Sequence, residues 1–505
     1  MTSTLISTKP LSRQIGIVQE NVGVGGKVLQ NTAVQLAGRG VSLALSFATS
    51  VLLARYLGRE RMGEYGAIFA YLALFSFLAT FSLEPILARE ASRRRSEATQ
   101  IFHTGMLIAL SFGLAGAILA TLFAPLFSFS GRLHWLVVVA ALDMMLVPAL
   151  RLPGIVFQVD MKQWFAVAIG LLRQVLWLVA LVLLVLKHSA FTEVIIARTA
   201  CGIIEGIICL KASYRPGFLS GARRLNWAEG KGLLRYSYPL ALGSVAAGIF
   251  QRIDQLMLHK MTGDHALGPY VVAVQLTEQF GALPVMLIMS LAPVLSVTAG
   301  QEELFRHYLR VSFRFLMAVV FFVCAVITPI TGPAIALLYG KEFLSSANLI
   351  NVLIWSEAPL FLGVVVNHAL IAKNLQRYIM IATAAGAIIN ISLNLVAIPR
   401  WGALGASWAT VISYSVAAVF AYLIFPSSRE FAWLGLRIAL PPLLVAVAIS
   451  VAMQHWQTSV AVKFFAAVSL YALGAWLTGT VRKSDTDQLK EVARRALKGF
   501  RSPSV

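Results

Sequence analysis

The chain has 505 residues, of which 58% are hydrophobic and only 13% are charged. Soluble domains typically have about 25% charged residues, so this chain has too few charges to cover a water-exposed surface. The formal net charge of +20 would suggest nucleic acid binding in a soluble protein. The composition instead excludes a soluble enzyme, a disordered scaffold and a nucleic-acid binder, and it predicts an integral membrane protein.

Apolar runs of about 20 residues are long enough to cross about 30 Å of hydrocarbon as helices. The sequence contains fourteen such runs, so the expected fold is an all-α polytopic membrane protein with 14 transmembrane helices. In chain order the predicted spans are 32–54, 64–84, 101–124, 134–155, 165–186, 191–211, 236–259, 269–295, 313–332, 348–372, 377–398, 404–425, 437–454 and 460–481.

The distribution of Lys and Arg predicts the orientation of these spans. When both termini are placed in the cytoplasm, 29 of the 42 basic residues lie on the cytoplasmic side, 8 lie on the opposite side and 5 lie within spans. Apolar and basic residues alternate at helical spacing in the C-terminal tail, 482–505. This pattern predicts an amphipathic helix on the membrane surface, with a partner-binding tail as the alternative.

A short motif, G-x4-G-x-Y, recurs 205 residues apart, after the first and the seventh span. The matched pairs are Leu53 with Leu258, Gly58 with Gly263, Gly63 with Gly268, and Tyr65 with Tyr270. Glycines permit the positive φ angles of tight turns, so both copies are expected to close outside turns. Because six spans separate the copies, the two halves have the same orientation in the membrane.

The repeat predicts two pseudo-symmetric six-helix lobes plus two extra C-terminal helices. The expected domains are a cytoplasmic N-tail (1–27), an N-lobe with spans 1–6 (28–211), a cytoplasmic linker (212–235), a C-lobe with spans 7–12 (236–425), spans 13–14 (426–481) and a basic amphipathic cytoplasmic tail (482–505).

Charged side chains within spans are costly and usually face the bundle interior or a water-filled cavity. The candidate cavity cations, which suit diphosphate because guanidinium donates two hydrogen bonds to phosphate oxygens, are Arg39, Arg173, Arg198 and Arg252. The candidate cavity or coupling acids are Asp143, Asp254, Glu278 and Glu357. Polar stripes on spans 7 and 8 predict one aqueous wall, formed by Gln251, Gln255, Gln275 and Gln279.

Structural roles for some of these residues remain open. Arg198 and Glu205 are seven positions apart in span 6 and can form an ion pair, while Asn390 and Asn394 can form interhelical hydrogen bonds. The sequence has no P-loop, no H-E-x-x-H, no G-x-S-x-G and no Cys/His metal spacing. We therefore expect no catalytic site, no metal and no cofactor.

Several segments resemble a known family. Asn31-Thr32, the L-L-A-R-Y-L-G segment of residues 52–58 with the G-x-Y that follows it, and the R-E-x-x-R-R cluster of residues 89–94 are similar to the start of Wzx-type polysaccharide flippases. These flippases are members of the multidrug/oligosaccharidyl-lipid/polysaccharide exporter superfamily. Arg252-Ile253-Asp254 and the P-R-W-G-A-L-G-A segment of residues 399–406 resemble the same family.

The resemblance implies a V-shaped, two-lobed transporter of the bacterial inner membrane. It would move undecaprenyl-diphosphate-linked oligosaccharide, an O-antigen or exopolysaccharide repeat unit, from the cytoplasmic to the periplasmic leaflet by alternating access. Its implied partners are this lipid-linked glycan, membrane lipids and, in the pathway, a polysaccharide polymerase and a chain-length regulator, with no nucleic acid.

Two other functions within the superfamily are alternatives, a lipid II flippase and a cation-coupled multidrug antiporter. From another class, a membrane glycan polymerase or ligase is the alternative. The four span arginines argue against the antiporter, and the short outside loops argue against the polymerase.

Overall fold

The computed structural model describes residues 11–221, 225–288 and 291–480. Within these ranges every regular element is helical, which confirms the all-α prediction. The helices, numbered α1 to α14, correspond to the fourteen predicted spans. Those of the first half are α1 (11–57), α2 (59–73, then Ser76–Thr80 and Leu83–Arg93), α3 (Ala98–Phe123), α4 (Arg132–Val159), α5 (Gln163–Leu186) and α6 (Phe191–Ser213).

The second half of the chain contributes eight further helices in the part that the structure describes. They are α7 (Trp227–Thr262), α8 (Asp264–Ile288, then Ala292–Thr298), α9 (Glu302–Leu338), α10 (Lys341–Ala372), α11 (377–401), α12 (403–424), α13 (Pro426–His455) and α14 (Val460–Leu477). By length and apolar composition, nine helical stretches of the described chain can cross a membrane, and two of them hold two helices each.

Some helices begin well before the predicted spans. α7 starts at Trp227, inside the predicted linker 212–235, because the Asn226 side chain accepts a hydrogen bond from the Glu229 backbone N–H at 3.2 Å and caps the helix. A search for apolar runs does not detect a charged first turn such as this one. The predicted amphipathic tail, 482–505, lies outside the described residues, and the lobe boundaries stay a prediction.

The two copies of the repeat have matching backbones. Gly58 (φ 68°, ψ −179°) ends α1 and Gly263 (φ 80°, ψ 173°) ends α7, so both glycines adopt the same positive-φ turn. Gly402, between α11 and α12, also has a positive φ, of 55°. We call the end of the bundle that contains these three glycines the turn end. At the opposite end, Arg94 before α3 pairs with Glu229 of α7 at 2.7 Å.

The second glycine of each copy brings α2 and α8 into reciprocal contact. A Cβ atom on Gly63 would lie 2.0 Å from the backbone oxygen of Asp264, and one on Gly268 would lie 1.9 Å from the backbone oxygen of Arg59. Residues 59 and 264 are themselves 205 positions apart, so the repeat relates the two contacts to each other. Each glycine is therefore required for close packing of the two halves.

Hydrophobic packing divides along the length of the bundle. At the turn end one cluster contains residues of both halves, including Leu57, Tyr65 and Tyr270. Toward the opposite end the buried residues separate into one cluster around Phe102 and another around Phe361. The two halves therefore share a core at the turn end, whereas at the opposite end they are joined mainly through α7, whose Leu233 packs in the first-half cluster.

Candidate functional site

Three of the four predicted cavity arginines line one cavity. A space of about 630 Å³ between α1, α4, α5 and α6 is bounded by Arg39, Arg173 and Arg198, and also by Arg151. An adjoining space of about 390 Å³ shares Arg39 and Arg198 with it and extends to α8. We call the two spaces together the arginine cleft.

The wall of the arginine cleft on α8 is polar, as the sequence predicts. Gln275, Glu278 and Gln279 line it opposite the serines of α1. Ser50 of α1 donates a hydrogen bond to Gln275 Oε1 at 2.9 Å. The cleft therefore spans both halves of the chain, with its cations in the first half.

Asp143 fixes the position of Arg173. Arg173 Nη2 donates to both oxygens of the Asp143 carboxylate, at 2.8 and 2.7 Å, and Arg198 Nε lies 3.9 Å from the same carboxylate. Asp143 lies in a π-helical segment of α4, and it packs against Gly202 of α6, where a Cβ atom would lie 2.0 Å from Asp143 Oδ1. The π segment and the glycine together direct the carboxylate to the arginines.

Aromatic rings hold Arg198 at the boundary of the cleft. Its guanidinium carbon lies 3.9 Å from the ring centroid of Phe69 and 5.3 Å from that of Tyr65, and Nη1 donates to the Tyr65 hydroxyl. Ring faces attract cations, most strongly where water is excluded. The aromatic side chains of α2 therefore retain a positive charge in a largely apolar setting.

Glu205 pairs with Arg151, not with Arg198. The carboxylate is fully buried, and Arg151 Nε lies 3.2 Å from Glu205 Oε1. The Arg198–Glu205 pair considered from the sequence is wrong, because the end of α4 brings Arg151 to Glu205 while Arg198 turns to α2. Sequence reasoning also missed Arg151 as a cleft residue, since it was counted among the basic residues of the cytoplasmic side. Its signal was its position inside the predicted fourth span, 134–155.

Arg39 differs from the other cleft arginines because it has no ion pair or hydrogen bond within the described ranges. It is exposed and lines both spaces of the cleft. Among the described residues of the first half, Arg39, Arg151, Arg173 and Arg198 are accompanied by two carboxylates, Asp143 and Glu205, while the carboxylate on the opposite wall, Glu278 of α8, pairs with Arg252. The first-half wall of the cleft therefore carries an excess of positive charge, and Arg39 is its uncompensated donor group.

The predicted residues of α7 are distributed differently. Arg252 lies outside the lining of the arginine cleft and forms an ion pair at 3.0 Å with Glu278, which does line it. Gln251 lines a separate cavity of about 310 Å³ between α7, α10, α11 and α12. Gln255 is buried. The polar face of α7 therefore does not extend the cleft wall of α8.

Two of the predicted acids are buried without an arginine. Asp254 accepts hydrogen bonds from the Tyr270 hydroxyl at 2.5 Å and from the Gln255 backbone N–H at 2.7 Å. Glu357 is only 4% exposed, and its Oε2 has no hydrogen-bond partner within the described part of the chain. Asn390 donates to Ser413 Oγ at 3.0 Å, which is the interhelical hydrogen bond considered from the sequence.

Comparisons with known proteins find matching family models and relatives. The family model described as "Polysaccharide biosynthesis protein" matches residues 28–299, and the MatE model matches residues 239–396. The lipid II flippase MurJ of Bacillus subtilis (strain 168) is 23% identical over 206 residues, an alignment that spans 38% of this chain and 38% of that relative. The chain thus matches well under two thirds of that relative's length.

Solved structures share the fold over most of the chain. A lipid II flippase MurJ in an inward closed conformation superposes with a TM-score of 0.69 at 15% identity, covering 89% of this chain and 98% of that one. An inward-facing multidrug resistance transporter of the MATE family gives a TM-score of 0.59 at 13% identity, with coverages of 85% and 100%.

These similarities are to flippases and transporters, which favours a polytopic membrane transporter over the glycan polymerase or ligase considered from the sequence. The polysaccharide biosynthesis model alone covers more than half of the 505 residues. The chain therefore belongs to the polysaccharide biosynthesis protein family, and it has the fold of the flippase and multidrug transporter structures to which it is similar.

Proposed function

We propose that this protein flips an undecaprenyl-diphosphate-linked oligosaccharide from the cytoplasmic to the periplasmic leaflet of the bacterial inner membrane. The observation that carries the proposal is the uncompensated positive charge of the arginine cleft, with Arg39 as its unpaired donor. In this proposal both termini and the end opposite the turns face the cytoplasm, as the distribution of basic residues indicates. The glycan is an O-antigen or exopolysaccharide repeat unit.

The arginines of the cleft replace the hydration that a diphosphate loses when it leaves water. A bare anion is rejected by hydrocarbon, whereas fixed guanidinium groups replace its hydration. Arg39 is unpaired and exposed, and Arg173 keeps 28% of its side chain exposed although Asp143 holds one of its nitrogens. Each hydrogen bond to a charged group contributes about 1.5–3 kcal/mol. The polyprenyl chain remains in the lipid between the lobes.

Alternating access requires the contacts between the two halves to change. The halves share one core at the turn end, and at the opposite end they meet through α7, where Leu233 packs on the first half and Glu229 pairs with Arg94. In this proposal the contacts of α7 at that end open to load the cleft from the cytoplasmic side. Unloading requires the opposite arrangement of the two halves. Asp254 and Glu357 are the proposed coupling acids of the predicted set, because Asp143 and Glu278 are held by arginines. A polysaccharide polymerase and a chain-length regulator are its proposed pathway partners.

A lipid II flippase is the second candidate, favoured by the similarity to MurJ in sequence and in fold. Both candidates carry the same diphosphate, so the arginine cleft serves either of them. A cation-coupled multidrug antiporter is disfavoured, since positive charge on the cleft wall repels a cationic drug.

The test compares Arg39→Ala with Arg39→Lys and with Arg400→Ala, an exposed arginine at the turn end. The measured quantity is the amount of lipid-linked oligosaccharide in each leaflet, at matched protein levels. We expect Arg39→Ala to retain the lipid in the cytoplasmic leaflet with a rate about 10- to 100-fold lower, Arg39→Lys to recover part of the rate, and Arg400→Ala to behave as wild type. Normal translocation by Arg39→Ala would refute the role of the cleft.

A further inference from the structure

The second half of the chain contains a cavity that corresponds to the arginine cleft. The arginine cleft lies among α1, α4, α5 and α6, and the cavity of about 310 Å³ lies among α7, α10, α11 and α12, the helices six positions later. Ser42 and Ser46 line the arginine cleft, and the residues 205 positions later, Ala247 and Gln251, line this second cavity. The internal repeat therefore produces two related cavities, one in each half.

The chemistry of the second cavity differs from that of the first. Its lining residues within the described chain include no charged side chain. They include the aromatic rings of Phe250 and Tyr414, whose centroids are 5.1 Å apart with planes inclined at 58°. Gln251 and Asn367 add amide groups. A neutral cavity with ring faces and a few polar groups suits a neutral ligand that has both C–H faces and hydroxyl groups.

Several polar groups of this cavity are free to bind a ligand. Asn367 Oδ1 accepts a hydrogen bond from the Tyr422 hydroxyl at 2.7 Å, which leaves the two amide donors of Asn367 without a partner in the described ranges. The amide of Gln251 and the hydroxyl of Tyr414 likewise have no hydrogen bond to any described residue. Amide and phenol groups pair well with sugar hydroxyls, which both donate and accept.

We propose that this second cavity binds a sugar of the lipid-linked substrate while the arginine cleft binds its diphosphate. The inference rests on the proposed function and adds a separate subsite for the glycan. The linings of the two cavities have no residue in common, but one ion pair connects them: Gln251 of the second cavity precedes Arg252, and the ion-pair partner of Arg252, Glu278, lines the arginine cleft. A glycan attached to a diphosphate in the cleft thus extends toward the second cavity.

The experiment measures binding of two probes to the full chain in lipid nanodiscs. One probe is undecaprenyl diphosphate, and the other is undecaprenyl diphosphate that carries one N-acetylhexosamine. The variants are Gln251→Ala, Tyr414→Phe and their combination, with Gln376→Ala, a residue at the start of α11, as the matched control. Gln251→Ala and Tyr414→Phe remove polar groups that have no hydrogen-bond partner among the described residues, so folding is expected to be retained.

We expect wild type to bind the glycosylated probe more tightly than the bare one. Each single variant should weaken binding of the glycosylated probe about threefold, and the combination about tenfold, with unchanged affinity for the bare probe. The proposal is overturned if wild type binds both probes equally, or if the variants weaken both probes alike. Arg39→Ala tests the diphosphate site separately from the sugar site. Unchanged affinity of this variant for the bare probe would contradict the diphosphate site, whereas the sugar site is judged by the Gln251 and Tyr414 variants.

Discussion

The ion pair between Asp143 and Arg173 predicts an unequal response to loss of either partner. Asp143 is 1% exposed, whereas Arg173 is 28% exposed and faces the cleft. Without Arg173, the carboxylate stays buried with its nearest remaining cation, Arg198 Nε, 3.9 Å away. Without the Asp143 charge, the guanidinium of Arg173 can be hydrated in the cleft. We therefore expect Arg173→Gln to destabilise the protein far more than Asp143→Asn.

The burial of Asp143 determines how much stability each variant should lose. Leaving one member of a buried ion pair without its partner typically costs about 3–5 kcal/mol. The Asn of Asp143→Asn still accepts a hydrogen bond from Arg173, so this change should cost about 1 kcal/mol. At roughly 2–4 °C per kcal/mol, Arg173→Gln should lower the Tm by about 6–20 °C and Asp143→Asn by about 2–4 °C.

The assay uses the buried thiols of the chain. Cys201, Cys209 and Cys324 are all buried, so a thiol-reactive fluorophore reports their exposure as the purified protein is heated in detergent. Arg400→Gln, the same substitution at an exposed position of the turn end, is the matched control and should leave the Tm unchanged.

The double variant makes the test decisive. Arg173→Gln combined with Asp143→Asn removes both charges, so it should be more stable than Arg173→Gln alone. If Asp143→Asn is as damaging as Arg173→Gln, or if the two effects simply add, the reasoning from unequal burial is wrong.

Two further predictions concern packing and pH. Gly63→Val and Gly268→Val should each lower the yield of folded protein to a similar degree, because either side chain would clash with the backbone of the other half. Gly40→Ala should be tolerated, because a Cβ atom at Gly40 has open space around it. Size-exclusion chromatography of the three variants measures the yield. The hydrogen bond from Lys373 holds the pKa of Glu302, which precedes the predicted ninth span, below its ordinary value of 4.5. The contact between Lys373 and Glu302 therefore stabilises the folded protein above pH 4.5, and this stabilisation disappears as the pH falls through the lower pKa of the folded state. Because Glu302 is 53% exposed, the contribution to the free energy of unfolding should stay under about 1 kcal/mol. Glu302→Gln should remove that part of the acid dependence in thermal melts, and an unchanged pH profile would contradict it.

The sequence alone predicts the number and order of the helices well, because apolar length and charge distribution are local properties. It also predicts the convergence of Arg39, Arg173 and Arg198, since charged residues in different spans share one bundle interior. Helix starts are predicted poorly. α7 begins nine residues before the predicted span (227 against 236), because its first turn is fixed by the side chain of Asn226 and not by apolar residues.

Side-chain contacts between helices cannot be predicted from a single sequence. Asp143 lies in a π-helical segment of α4, Leu142–Leu146, which the apolar pattern of the sequence does not predict. Arg198 meets Tyr65 across 133 positions of sequence, a contact set by how α2 and α6 pack. Arg252 was predicted to be a cavity cation because it is a charge within a span, yet it pairs with Glu278 on α8 and does not line the cleft.

The reciprocal glycine contact has a consequence for the origin of the chain. A half-length chain with one copy of the motif carries both the glycine and the backbone on which the glycine packs. Two such identical chains would close against each other through the same surface, as in a symmetric homodimer. Duplication and fusion of the gene for that dimer would allow the two halves to diverge. The cavity of the first half could then acquire arginines, while the cavity of the second half has aromatic and amide side chains.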